Sequence, residues 1–136
     1  MSIWTHVCGI IRIDSVPKMD KLWIKEIKEK LGGYNSPVKT PTGSEGDKIE
    51  YKIEIVGEKN SLNRGIIYIW GDLRDFDVTN FQEIRDWLDR IDELSNCWIR
   101  QGVVRIEDSN DNLVVLNWEG IWKIIYKDIY QTLREK

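Results

Sequence analysis

Two short stretches hold the residue types from which a binding site could be built. TPTGSEGDK (40–48) sets Gly43 and Gly46 around Ser44, so several backbone N–H groups and a hydroxyl could converge on an anion. GDLRDFD (71–77) adds Arg74, whose planar guanidinium forks onto a phosphate or carboxylate. Its acids Asp72, Asp75 and Asp77 could hold a divalent cation or accept from ribose hydroxyls. Together they suit a small anionic, nucleotide-like ligand. Gly43, Ser44 and Gly46 would donate, Arg74 would supply charge, Asp72 or Asp75 would orient, and Trp4 or Trp70 would stack. GSEG lacks the lysine and the length of a P-loop and opens no helix, so it is no triphosphate cradle of that kind. Plainer roles stand beside these. A glycine-rich polar stretch marks a loop before a strand, and acids ahead of a helix favour its start while pairing Arg74.

Other chemistry is thin. His6 and Cys8, two apart on a strand, share a face, and Cys97 opens a strand that should pair with theirs. A zinc site would need a fourth ligand, and no CxxC or HxxxH spacing supplies one. A single histidine without a convincing base gives no Ser-His-Asp or Cys-His arrangement. Phosphoester chemistry through the aspartates of GDLRDFD would need an added metal. No metal or cofactor is expected, and the chain reads as more a binder than an enzyme.

The elements that must carry these residues follow from periodicity. IWTHVCGIIRI (3–13) is β-branched and aromatic and reads as a strand. Ser15 and Pro17 make an entry for a helix with Leu22, Trp23, Ile27 and Leu31 at helical spacing, and Gly32-Gly33 stops it. KIEYKIEIV (48–56) alternates strictly, GEKNSLNRG is a hairpin loop, and IIYIWG (66–71) is apolar on both sides. TNFQ (79–82) has the form of a capping box opening a second helix. CWIRQGVVRIE (97–107), the turn DSNDN and LVVLNW (113–118) form a hairpin, and Ile121 onward reads as a helix.

This β-α-β-β-α-β order predicts a ferredoxin-like split βαβ fold, an antiparallel sheet with two helices on one face. The expected division is a ferredoxin-like α+β domain over 1–118 and a helical C-terminal extension over 119–136, packed on the domain or on a partner. In the first strand Ile3, Val7, Ile11 and Ile13 share the face assigned to the helices. Trp4, His6, Cys8, Ile10 and Arg12 point the other way. A sheet face with so many large apolar groups exceeds what a monomer normally leaves wet. A cover is expected, either the C-terminal helix or a second copy in a homo-oligomer.

Composition bounds the function. With 136 residues, one core is expected. Net charge is −3, which argues against general nucleic-acid binding, and the RNP1 pattern is absent. No apolar run is long enough to span a membrane, and the N-terminus has no signal-peptide form. Two cysteines, Cys8 and Cys97, read as reduced thiols in a cytoplasmic protein. Seven tryptophans point to a substantial core or an association surface.

The opening WTHVCGIIRID, the GSEG loop and the strand end GDLRD together resemble a group of small uncharacterised phage proteins, over residues 3–118. The chain departs from that group from about Glu119. The resemblance implies the cytoplasm of a host cell and a small protein that works by binding. Two functions are therefore expected. One is an oligomeric, non-enzymatic protein that captures a nucleotide-like signal to counter host defence. The other is an interaction or scaffold protein that docks a host or phage macromolecule through its tryptophan-rich surface.

Overall fold

A computed structural model describes residues 3–15, 20–32, 39–56 and 63–129. Pro17, Gly33, hairpin residues 57–62 and the tail beyond 129 lie outside the described residues. The elements are β1 (Trp4–Ser15), α1 (Asp20–Leu31), β2 (Glu50–Val56), β3 (Asn63–Arg74), α2 (Phe81–Asp89), β4 (Trp98–Asp108), β5 (Leu113–Trp118) and β6 (Trp122–Asp128). All six strands form one sheet in the order β2-β3-β1-β4-β5-β6, and every pairing is antiparallel.

The expected ferredoxin-like fold is corrected here. The molecule is dominated by a six-stranded antiparallel sheet, and its helices are short, 12 residues in α1 and 9 in α2. The largest departure is at the C-terminus, where the expected helix is β6. Glu119-Gly120 turns the chain, with Gly120 at φ 84°, and Trp118 pairs with Trp122. Leu116 then pairs with Ile124 but Val115 with Tyr126, so Ile125 is a bulge residue. That extra residue shifts the alternation by one and makes a strand's apolar set look as if it wraps a helix. β6 lies beside β5 rather than over the sheet.

One sheet face is closed. Val7, Ile11 and Ile13 of β1, Ile67, Ile69 and Leu73 of β3, and Val104 and Ile106 of β4 are buried. They join one core with Trp23, Ile27 and Leu31 of α1 and Ile84, Trp87 and Leu88 of α2. Leu22, grouped with that stripe in sequence, is exposed. Two glycines let indole rings lie against the strands. A Cβ on Gly65 would stand 2.1 Å from Trp23 Cη2, and one on Gly102 would stand 2.6 Å from Trp122 Cη2. Among the described residues neither ring's buried N–H has an acceptor, a cost that their apolar area must outweigh.

Polar ties fix the helices. Trp87 Nε1 donates to Leu31 O at 2.7 Å, and Arg85 Nε donates to Trp122 O at 2.9 Å. Glu26 accepts from the N–H groups of Ser95 (2.8 Å) and Asn96 (3.0 Å). Partial burial pulls Glu26 upward, yet these hydrogen bonds hold it below the ordinary carboxylate range. The capping box does not form. Asp77 caps a short 3-10 turn at Val78–Asn80 by accepting from Thr79 N, Asn80 makes no side-chain cap for α2, and Gln82 reaches forward to Asp86.

Candidate functional site

The two glycine-bearing stretches do meet. Thr42 and Lys48 pair as an isolated bridge, making residues 42–48 a tight excursion docked on the end of β3. Ser44 N donates to Arg74 O at 2.9 Å, Arg74 N donates to Asp47 Oδ2 at 2.8 Å, and Ser44 Oγ donates to Asp75 Oδ2 at 2.7 Å. Only glycine fits at position 43, where a Cβ would lie 2.1 Å from Asp47 Oδ2 and 2.6 Å from Arg74 N. Asp75 turns the chain at φ 57°.

The groups expected to hold an anion are engaged by the chain itself. Gly43 N donates to Asp47 O at 2.7 Å, and the Arg74 guanidinium pairs with Glu45. That carboxylate, with Asp75 and Asp47 nearby, makes the guanidinium hold its proton more tightly. The Arg74 N–H in turn holds Asp47 below its ordinary range. Gly46, exposed at φ 80°, has nothing within 4 Å of where a Cβ would be. Arg74 lies 6.0 Å from the Trp4 ring centroid, its cross-strand partner. Asp72 accepts from His6 Nδ1 on the neighbouring strand rather than joining the Arg74 patch. Glu45 and Asp47, which sequence reasoning passed over, are what tie the patch together; both lie inside the 42–48 loop.

His6 and Cys8 are on the open sheet face, while Cys97 is buried, its thiol pushed up to about 12 by desolvation and then by Glu26. No cluster of three or more His, Cys, Asp or Glu that could hold a metal occurs among the described residues. No helix there is long and apolar enough to cross a membrane.

The larger feature is the open face itself. Register sets its side chains in rows across the strands. One row runs Glu50, Trp70, Cys8, Arg105, Val115, Tyr126, and the next runs Lys52, Tyr68, Ile10, Val103, Asn117, Lys123. On one side of these lies an acidic row, Asp72, His6, Glu107, Leu113, Asp128. On the other lies Glu54, Ile66, Arg12, Gln101. The middle is wet: Trp70 is 44% exposed, Ile10 50% and Val103 43%, and Trp4 beyond the acidic row is 39%. Beside Ile10 lies a shallow depression of about 510 Å³, edged by Arg12, Gln101, Val103, Asn117 and Trp118. An apolar centre ringed by charge is how a docking surface is built.

Comparison of the chain with protein-family models, with curated proteins and with solved structures finds no match.

Proposed function

We propose that this is a non-enzymatic interaction protein that docks another protein surface through the open face of its sheet. The observation that carries it is the wet apolar band Trp70, Tyr68, Cys8, Ile10 and Val103, ringed by charged side chains, on a face that β6 leaves open. Each large apolar side chain covered there contributes roughly 1.5–3 kcal/mol before ordering costs, so a few suffice. The matching surface is apolar at its centre, with charges opposite to this rim. A photoreactive residue placed at Ile10 should give protein adducts in the expressing cell, while one placed at Lys25, on the exposed side of α1, should give none. Equal labelling from both positions ends this reading.

A second reading, capture of a nucleotide-like anion, is favoured by one observation. Ser44, Arg74 and Trp4 lie in one patch where the two loops meet. A ligand there displaces Glu45 from the guanidinium and stacks beside Trp4. In the phage setting that the sequence resemblance implies, such capture would counter host defence. Calorimetry against cyclic and linear nucleotides should give heat that Arg74→Ala abolishes without unfolding the domain. No heat from the wild type ends it.

A further inference from the structure

We infer that the surface received by the open face is the same face of a second copy, related by a two-fold axis lying between the sheets and running across the strands. The inference rests on the docking reading above and names its partner. Rotation about such an axis sets each strand opposite its own copy and reverses its direction. With the axis midway between the Cys8 and Ile10 rows, every residue of one row on β1 to β5 meets its neighbour two positions along the same strand, and on β6, across the bulge, Tyr126 meets Lys123.

The pairs this brings together are complementary over β2 and at the centre of β3 and β1, while on β4 and β5 Arg105 meets Val103 and Val115 meets Asn117 without opposing like charges. On β2, Glu50 meets Lys52; on β3, Trp70 meets Tyr68; on β1, Cys8 meets Ile10. One step outward, Glu54 meets Lys48, the exposed position before β2. Arg12 meets His6, which is flanked in its row by the carboxylates of Asp72 and Glu107. The acidic row of one copy thus lies over the Arg12 row of the other, and the aromatic and aliphatic centre closes on itself. A two-fold along the strands instead exchanges β2 with β6 and sets Lys52 against Lys123, placing like charges together.

The dimensions agree. The four rows hold 21 side chains, each occupying about 4.8 by 6.8 Å of sheet, so they cover on the order of 700 Å² per copy, near the ~800 Å² of a stable interface. Packed sheets are rotated by about 30°, which moves contacts at β2, about 10 Å from β1, by about 5 Å, an offset that the long, flexible side chains of Glu50 and Lys52 span. Each isologous contact also occurs twice, so a single substitution acts at two places.

Sedimentation equilibrium on the full chain tests this. The wild type should have twice the 16.1 kDa chain mass, and Ile10→Asp should be monomeric. Glu50→Lys and Lys52→Glu should each weaken the dimer about tenfold, since both put like charges face to face at two symmetric points. The double variant Glu50→Lys/Lys52→Glu should recover wild-type affinity to within about threefold. All three positions are on the exposed surface, so the fold is kept. A dimer that the swap fails to restore overturns the proposed axis and with it the inference. A wild type that stays monomeric to about 1 mM, too weak for a face of this size, overturns it as well. If the monomer is nonetheless cross-linked from position 10 to a different protein, the docking reading survives and the self-pairing does not. Neither a dimer nor an adduct sinks both.

Discussion

The two faces of this sheet are woven from the same strands, yet they differ in what a tryptophan does. On the closed face Trp23 and Trp122 are fully buried, each laid against a strand at a glycine. On the open face Trp4 and Trp70 stand partly in water among charged neighbours. Residue type is shared; company is not. Hydrophobicity brings a side chain out of water only where another element arrives to cover it, and α1 and α2 arrive on one side.

The largest test of that contrast is truncation on each side. Trp122→Ala should cost about 3–5 kcal/mol by equilibrium urea unfolding, through lost area and a cavity. Trp70→Ala, in protein dilute enough to be monomeric, should cost less than about 0.5 kcal/mol, as exposed sites do. Equal costs would erase the difference between the faces.

The glycines sharpen it next. Gly102→Ala should cost about 1–3 kcal/mol, because its methyl meets the Trp122 ring and the packed core cannot give way freely. Gly46→Ala has open space and carries only the strain of its positive φ, so about 1 kcal/mol is expected. Melting of the two variants side by side gives the ranking.

Thiol chemistry separates the faces without mutation. In dilute native protein at pH 8, iodoacetamide should modify exposed Cys8 and leave Cys97 intact until the chain is unfolded. Mass spectrometry of the peptides reads this directly. Early labelling of Cys97 would mean that the closed side opens.

The smallest effect concerns the docked loop. Asp47 is held below its ordinary 3.8, chiefly by the Arg74 N–H. A carboxylate with a depressed folded pKa stabilises above the unfolded value and loses that contribution as pH falls through the folded one. The loop should therefore stay attached down through pH 3.8 and loosen only below it. The amide shifts of Arg74 and Ser44 across an acid titration give the midpoint; one above 4 would contradict the contact.

Local pattern carried much of this fold. Strict alternation placed Val7, Ile11 and Ile13 on one side of β1 and Trp4, His6, Cys8 and Ile10 on the other, as the burial shows. The hairpin turn DSNDN is where it was expected, held by Asp108, whose Oδ1 accepts from Asn110 N at 2.8 Å and Asn112 N at 3.1 Å. Pattern failed where one residue breaks the period. The bulge at Ile125 hid β6 behind a helix-like spacing, and the cap of the turn before α2 passed from Thr79 to Asp77, two residues earlier. For the candidate site, sequence marked Ser44, Arg74 and Asp75 but could not show that Glu45 and Asp47 would reach them.

The order of apolar and polar residues along the chain by itself determined which side chains share a face of each strand, because successive Cβ atoms point to opposite sides. Which of those faces would be closed was decided only by tertiary structure. That outcome depends on where α1 and α2 pack and on β6 joining the sheet edge rather than crossing the sheet. Those are contacts between residues far apart in sequence, set by the competition for a single core, and no local period encodes them.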